Sequence, residues 1–411
     1  MNFKSIQHCL MGNKLLSLAY FFLVLSALVF GYRDGTPTVR LLELTGLASL
    51  LFFVFNKPSF KEEKDWITPA LLAGSLLFMA EFSTHFFLKA TVNFALITTI
   101  GVFCFATRKL KPILRLTFLA CLVSLIAYLV SYCQNPTLFD YSWYRPSIGY
   151  SNTNFWAILL ASSILVFIAS CLKTDNKVER ILCVFFSLTD FYLLIQTESR
   201  TSLLATAGSL VIFAIIWTIR NGKALRLLGF SVCAVLAGIV AVQMLPSQQQ
   251  NRFTELLTTN PKSINTLAQR IAIWEVSLDI YSNSSTKDKL LGLGTEHFIN
   301  AFTENATNPK FAENYRLTGN RMGHQHNLYV YVLYSYGAIG LILFLLLLSR
   351  LMYLAAVNEM YAPLLVITFT AINGLAEVPV ESSIGAAVFF LAVGYVVGQQ
   401  LIENQALPKL Q

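Results

Sequence analysis

Apolar runs of about bilayer length dominate this chain. They recur at 14–32, 38–56, 66–85, 88–106, 113–133, 153–172, 180–197, 201–219, 225–245, 327–349, 361–377 and 381–401. A hydrocarbon core roughly 30 Å thick takes about 20 apolar residues per helix. Inside lipid the backbone must bond within its own segment, so each run is predicted helical. The pattern breaks once at length, over 246–325, where polar residues prevail. Within that break Leu267, Ile271, Trp274 and Leu278 fall at helical spacing and predict an amphipathic helix over 265–282. It either lies on the membrane surface or packs on the bundle. The expected fold is an all-α polytopic membrane protein with about 12 transmembrane helices and one large periplasmic loop. Residues 1–245 hold helices one to nine, 246–326 form the loop domain, and 327–411 hold helices ten to twelve and a cytoplasmic C-terminus.

Composition agrees with the pattern. The 411 residues are 55% hydrophobic and only 13% charged, against about 25% charged in soluble domains. Charge adds orientation. With the N-terminus in the cytoplasm, 17 of the 30 lysines and arginines fall in cytoplasmic segments, among them Lys57, Lys61, Lys64, Arg108, Lys109 and Lys111. That is the positive-inside bias. It places the chain in the inner membrane with both termini inside and 246–325 in the periplasm. The net charge of +8 therefore reports topology. No nucleic-acid motif accompanies it. Lys4 and Lys14 precede the first apolar run, which reads as an uncleaved first helix. Seven cysteines show neither metal-type spacing nor a disulfide framework, and read as small buried hydrophobes.

Candidate chemistry gathers at the outer ends of the runs. Five histidines occur, and two sit in Gly323-His324-Gln325-His326-Asn327, at the mouth of run ten. At 100° per residue, Gly337 lies about 20° from the face of His326 and Gly340 about 40° to its other side. Small residues admit a close neighbouring helix. His326 then either caps the helix or acts at the membrane surface. Arg200 lies in a very short turn, Thr197 to Thr201, between runs seven and eight. It either snorkels to headgroups or holds a substrate anion. Arg270 is expected to open the amphipathic helix, where guanidinium and helix N-terminus both favour phosphate. Acidic residues near the outer side are Glu81, Asp190, Glu198, Glu377 and Glu381. An ionisable group within the bilayer costs roughly 2.5–3.5 kcal/mol on insertion scales and needs a reason to be there. The sequence holds no P-loop, no dinucleotide fingerprint, no Asp-x-Asp pair and no zinc spacing.

These segments resemble the O-antigen ligase family, within the wider O-antigen ligase/polymerase superfamily. His326-Asn327, nine further residues and Gly337-Ala338-Ile339-Gly340 are similar to the family's His–Gly signature. Thr197 to Leu204 is similar to its arginine turn, and Leu267 to Glu275 to its helical arginine segment. The resemblance implies a glycosyltransferase C-like membrane architecture that works without metal or nucleotide. It implies transfer of a glycan from undecaprenyl diphosphate to a hydroxyl of the lipid A–core, in the periplasm. In that scheme His326 is the general base, with His324 as second candidate and Asn327 beside it. Arg200, Arg270 and Arg145 hold the diphosphate, displacement inverts the anomeric centre, and Gly337 and Gly340 serve helix packing. A polymerase or protein O-oligosaccharyltransferase of the same superfamily shares nearly all of this chemistry and differs in acceptor. A lipid or solute transporter also fits many helices with buried charges. However, matching pairs of broken spans, the transporter signal, are not seen.

Overall fold

The structure is a computed structural model that describes residues 125–126, 128–130, 132–134, 153–221, 261–294, 297–314, 325–379, 388–390 and 392–397. Of 261–268 it gives the backbone alone. Arg145, His324, Glu81, Glu381 and the runs before 113 lie outside the described residues, as does 222–260.

The described residues are helical, with no strand among them. Helix α1 spans Thr153–Lys173, α2 Lys177–Gln196 and α3 Arg200–Asn221. Helix α4 spans Pro261–Ser282, α5 Thr286–Leu291 and α6 His297–Glu304, followed by two 3-10 turns at Asn305–Thr307 and Pro309–Phe311. Helix α7 spans Leu328–Val357 and α8 Tyr361–Asn373. Among the described residues three helices, α1, α3 and α7, are long and apolar enough to cross a membrane. Their length and apolar character point to a helical membrane protein. Helix α2 has the length, but Lys177, Glu179, Arg180 and Asp190 lower its hydropathy.

Helices α1, α2, α3, α7 and α8 form one bundle, with α8 packed against α1, α3 and α7. Its interior is built from Trp156, Leu160 and Leu165 of α1, Leu193 and Leu194 of α2, Leu328 and Leu351 of α7, and Leu364 and Phe369 of α8. The outer faces carry Val178, Ile181, Phe185, Leu188, Leu204, Ile219 and Ile342, all exposed. In water such a belt would aggregate; against acyl chains it needs no cover.

A second, smaller core lies over one end of α7. Ile273 and Val276 of α4 meet Phe298 and Phe302 of α6, Phe311, and Tyr334 of α7. Helix α4 was expected at 265–282 and begins earlier, at Pro261. Its packed face also differs from the expected stripe. Ala272, Ile273, Val276 and Ser277 are buried, while Ile271 and Leu278 are exposed. The stripe read from the sequence followed the largest side chains. The helix turns a neighbouring face to α6 and α7, with Trp274 of the expected stripe packed at the edge of that core. Helices α5 and α6 had no counterpart in the sequence reading. They are shorter than the window in which a helical period shows.

Helix α7 is not continuous in the way its apolar run suggests. Gly337 sits at φ 69°, ψ −174°, a region essentially restricted to glycine. The break frees the carbonyls of Tyr334 and Ser335, and the chain beyond α5 supplies donors. Leu293 N–H donates to Tyr334 O at 2.9 Å and Gly294 N–H to Ser335 O at 3.1 Å. Gly337 and Gly340 were expected to admit a neighbouring helix. Gly337 admits the C-terminal end of the short helix α5, the backbone of Leu290 to Gly292 lying against its Cα. Gly340 is buried in α7 below the break. A uniform 100° per residue across 326–340 therefore does not hold, and the face shared by His326 and both glycines is not formed.

Candidate active site

His326 lies just before α7, as the run from 327 implies, and it is Asn327 rather than His326 that caps the helix. Asn327 is the N-cap of α7, its side-chain oxygen accepting from Tyr329 N–H at 2.9 Å and Val330 N–H at 3.0 Å. Its amide nitrogen donates to Leu375 O at 2.9 Å. Asn327 is thus committed to structure on both sides. His326, one residue earlier, adopts φ 50°, a left-handed conformation that costs a non-glycine residue about 1–3 kcal/mol. The neighbourhood holds it there. Trp274 of α4 donates its indole N–H to Gln325 O at 2.8 Å. On the other flank Leu328 N–H donates to Gly374 O at 2.7 Å and Glu377 O at 3.1 Å. Gly374 makes this possible, since a Cβ there would press on the Leu328 side chain at 3.0 Å.

Four other elements converge on that histidine. Glu377, in the turn after α8, places Oε2 3.3 Å from His326 Nδ1. Its Oε1 accepts from Arg270 Nη2 at 2.5 Å and from Asn154 Nδ2, in the first turn of α1, at 3.0 Å. Arg270 also donates through Nη1 to Thr201 Oγ1 at 3.4 Å. Thr201 follows Arg200, the half-buried first residue of α3. Side-chain exposure is 29% for His326, 16% for Arg270 and 11% for Glu377. Those values leave the imidazole approachable and the ion pair largely shielded from screening. Breaking a buried pair by removing one partner typically costs about 3–5 kcal/mol.

The N-termini of α1, α3 and α7 open on this one end of the bundle. Each contributes partial positive charge, which adds to Arg200 and Arg270 and is offset in part by Glu198 and Glu377 at the same end. Arg270 reaches it from within α4 rather than from that helix's first turn, as its start at Pro261 requires. The opposite end is differently built. There Arg220 donates to Ala356 O and Val357 O and pairs with Glu359 at 3.7 Å, and Lys173 stacks over Tyr361.

Beneath the site runs a buried polar seam. Ser199 Oγ donates to Ser202 Oγ at 3.1 Å, and Asn373 Nδ2 donates to the same oxygen at 3.3 Å. The turn above it is tight: Glu198 has φ 53°, and Thr197 Oγ1 donates to Leu194 O at 2.6 Å. The short turn read from the sequence is therefore a buried corner that fixes where Arg200 starts α3. Among the described residues no three His, Cys, Asp or Glu side chains gather as metal ligands would.

Sequence reasoning paired none of the acidic residues with a base. Glu377 was one of five, and its signal was only an ionisable group at the end of an apolar run. Asn154 and Thr201 carried no signal. His297, which the sequence left without a role, lies 2.8 Å from Tyr334 Oη through Nδ1. It thereby ties the first turn of α6 to α7.

Fold and site together define a helical membrane protein with a histidine, two arginines and a carboxylate gathered at one end of its apolar helices. Residues 183–345 match the family model described as O-antigen ligase, which supports placing the chain in that family. The matched segment contains Arg200, Arg270, His326, Gly337 and Gly340. Nothing among curated proteins matches the chain.

Proposed function

We propose that the chain is an O-antigen ligase. It transfers a glycan from undecaprenyl diphosphate to a hydroxyl of the lipid A–core, at the periplasmic face of the inner membrane, with inversion. The observation that carries this reading is the cluster of His326, Arg270 and Glu377 at one end of the bundle, with Arg200 one residue from Arg270's contact at Thr201. A sugar hydroxyl is a poor nucleophile, and an imidazole is suited to take its proton near neutral pH. The leaving group is a lipid diphosphate, whose growing charge guanidinium groups and helix N-termini stabilise. His326 is the base; Arg200 and Arg270 hold the diphosphate, and Arg145 is a further candidate for that role. Gln325, His326 and Asn327 are pinned from both flanks, so the base is held in place before substrate arrives. The positive-inside bias supports a periplasmic position for this end, opposite Lys173 and Arg220. Residues 246–326 would then be the periplasmic loop domain on that side.

The deciding experiment is deletion of the gene with gel analysis of lipopolysaccharide, paired with transfer by purified protein. A lost ladder with accumulated lipid-linked polymer supports a ligase. A core bearing a single repeat indicates the sibling polymerase reaction instead. Arg200→Ala and Arg270→Ala are each expected to slow transfer about 10²–10³-fold, the usual loss of one preorganised donor to a developing anion. Lysine at either position should rescue poorly, because it lacks the bidentate fork. Alanine variants at normal levels with unchanged turnover would remove the arginines from the mechanism. Transfer is also expected to persist in excess EDTA. Activity lost to chelator and restored by magnesium or manganese would overturn a mechanism run by side chains alone.

A further inference from the structure

We infer that Glu377 is a positioning residue that sets the working tautomer of His326 and, with the same carboxylate, aims Arg270 at the leaving group. The inference rests on His326 being the base. Glu377 accepts three side-chain bonds from three separate elements: His326 before α7, Arg270 in α4 and Asn154 in α1. An ionised carboxylate can only accept. The imidazole therefore presents Nδ1–H to it, and the lone pair of the neutral ring lies on Nε2. That nitrogen takes the acceptor's proton, and the imidazolium formed is stabilised by the carboxylate at its other edge.

The second contact links this base to the diphosphate. Arg270 spends one N–H on Glu377 and one on Thr201 Oγ1. A guanidinium has five N–H groups in a fixed plane, so these two bonds set the direction of the rest. Asn154 holds Oε1 from the side of α1. One carboxylate thus fixes the separation and relative orientation of the group that takes the proton and the group that receives the leaving charge. Their geometry must be right simultaneously for an in-line displacement.

The test is Glu377→Gln, assayed with purified lipid-linked donor and lipid A–core acceptor. Glutamine keeps the shape but offers an N–H where the carboxylate offers two acceptors. If that amide faces His326, Nδ1 becomes the acceptor, the proton moves to Nε2 and the base is in the wrong tautomer. Turnover is expected to fall at least about 100-fold, in line with the effect of a wrong tautomer elsewhere. The donor KM should stay level or fall, since one anion no longer competes for Arg270. Glu377→Asp, which keeps the charge, should recover part of the turnover. In a His326→Ala background Glu377→Gln should add little. Three results would overturn the inference. The first is near-normal turnover of Glu377→Gln while His326→Ala is inactive, which leaves the function intact. The second is a donor KM that rises in step with the lost turnover. The third is an undiminished further loss in the His326→Ala background. Full activity of His326→Ala would instead fail the proposed function itself.

Discussion

His326→Ala is expected to yield a folded, inserted protein that binds the lipid donor but transfers glycan about 10²–10⁴ times more slowly, the range a positioned general base supplies. The expectation of normal folding comes from the local structure. The side chain is partly exposed, and the α7 cap belongs to Asn327. The flanking contacts are made by the backbone of Gln325 and Leu328. None of these is lost with the imidazole. Alanine at φ 50° retains a steric cost, so Gly at 326 is a useful second variant that keeps the backbone at ease. The loss should therefore be of turnover with donor binding retained. His324→Ala is expected to be milder. The measurement is transfer from purified donor to lipid A–core, with donor binding followed in parallel. Near-normal turnover in both His326→Ala and His326→Gly would end the case for base catalysis here. Inactivity of His324→Ala beside an active His326→Ala would move the role to the other histidine.

Gly337→Ala is expected to destabilise the protein by roughly 3 kcal/mol or more. Two causes act together. The conformation at φ 69°, ψ −174° costs a side-chain-bearing residue about 1–3 kcal/mol. A Cβ would also meet backbone, with Gly292 N at 2.6 Å and the Leu290 carbonyl nearer still. Backbone cannot rotate aside as a side chain can. Relief requires moving 290–294 away, and the carbonyls of Tyr334 and Ser335 then lose Leu293 N–H and Gly294 N–H. A buried polar group left without its partner costs about 1–3 kcal/mol. The damage should spread to the second core, where Tyr334 packs on Phe298, and from there to α4 and Arg270. Thermal unfolding in detergent and the yield of monodisperse protein measure it. A Gly337→Ala protein that melts with the wild type would show that α7 runs as an ordinary helix through this point.

The site's dependence on contacts far apart in sequence explains how little of its wiring the sequence carried. Membrane character was legible because lipid imposes it residue by residue. An apolar run of bilayer length has to be helical, and the runs at 153–172 and 201–219 match α1 and α3 closely. Arg200, Arg270 and His326 were legible because short motifs and special residues mark them. The turn at Thr197 to Thr201 and the histidine before a long apolar run need no partner to be noticed. What the sequence located, it located one element at a time.

Tertiary structure decided the rest, for two physical reasons. Side-chain pairing depends on which helix ends meet. Only the packed bundle brings Glu377 to His326, 51 residues earlier in the chain, and Asn154 to Glu377, across 223 residues. Periodicity, moreover, finds apolar positions at helical spacing, whereas packing selects which of them meet a neighbour. Helix α4 accordingly buries Ala272, Ile273 and Val276 and leaves Ile271 and Leu278 exposed. The same holds at Gly337. A glycine in an apolar run suggests a close helix neighbour, but not that the run breaks at φ 69° to receive the end of α5. The sequence by itself determined that this chain is helical and suited to lipid, and which residues carry reactive groups. Packing determined that His326 and Arg270 share one carboxylate, because such a contact belongs to no single segment.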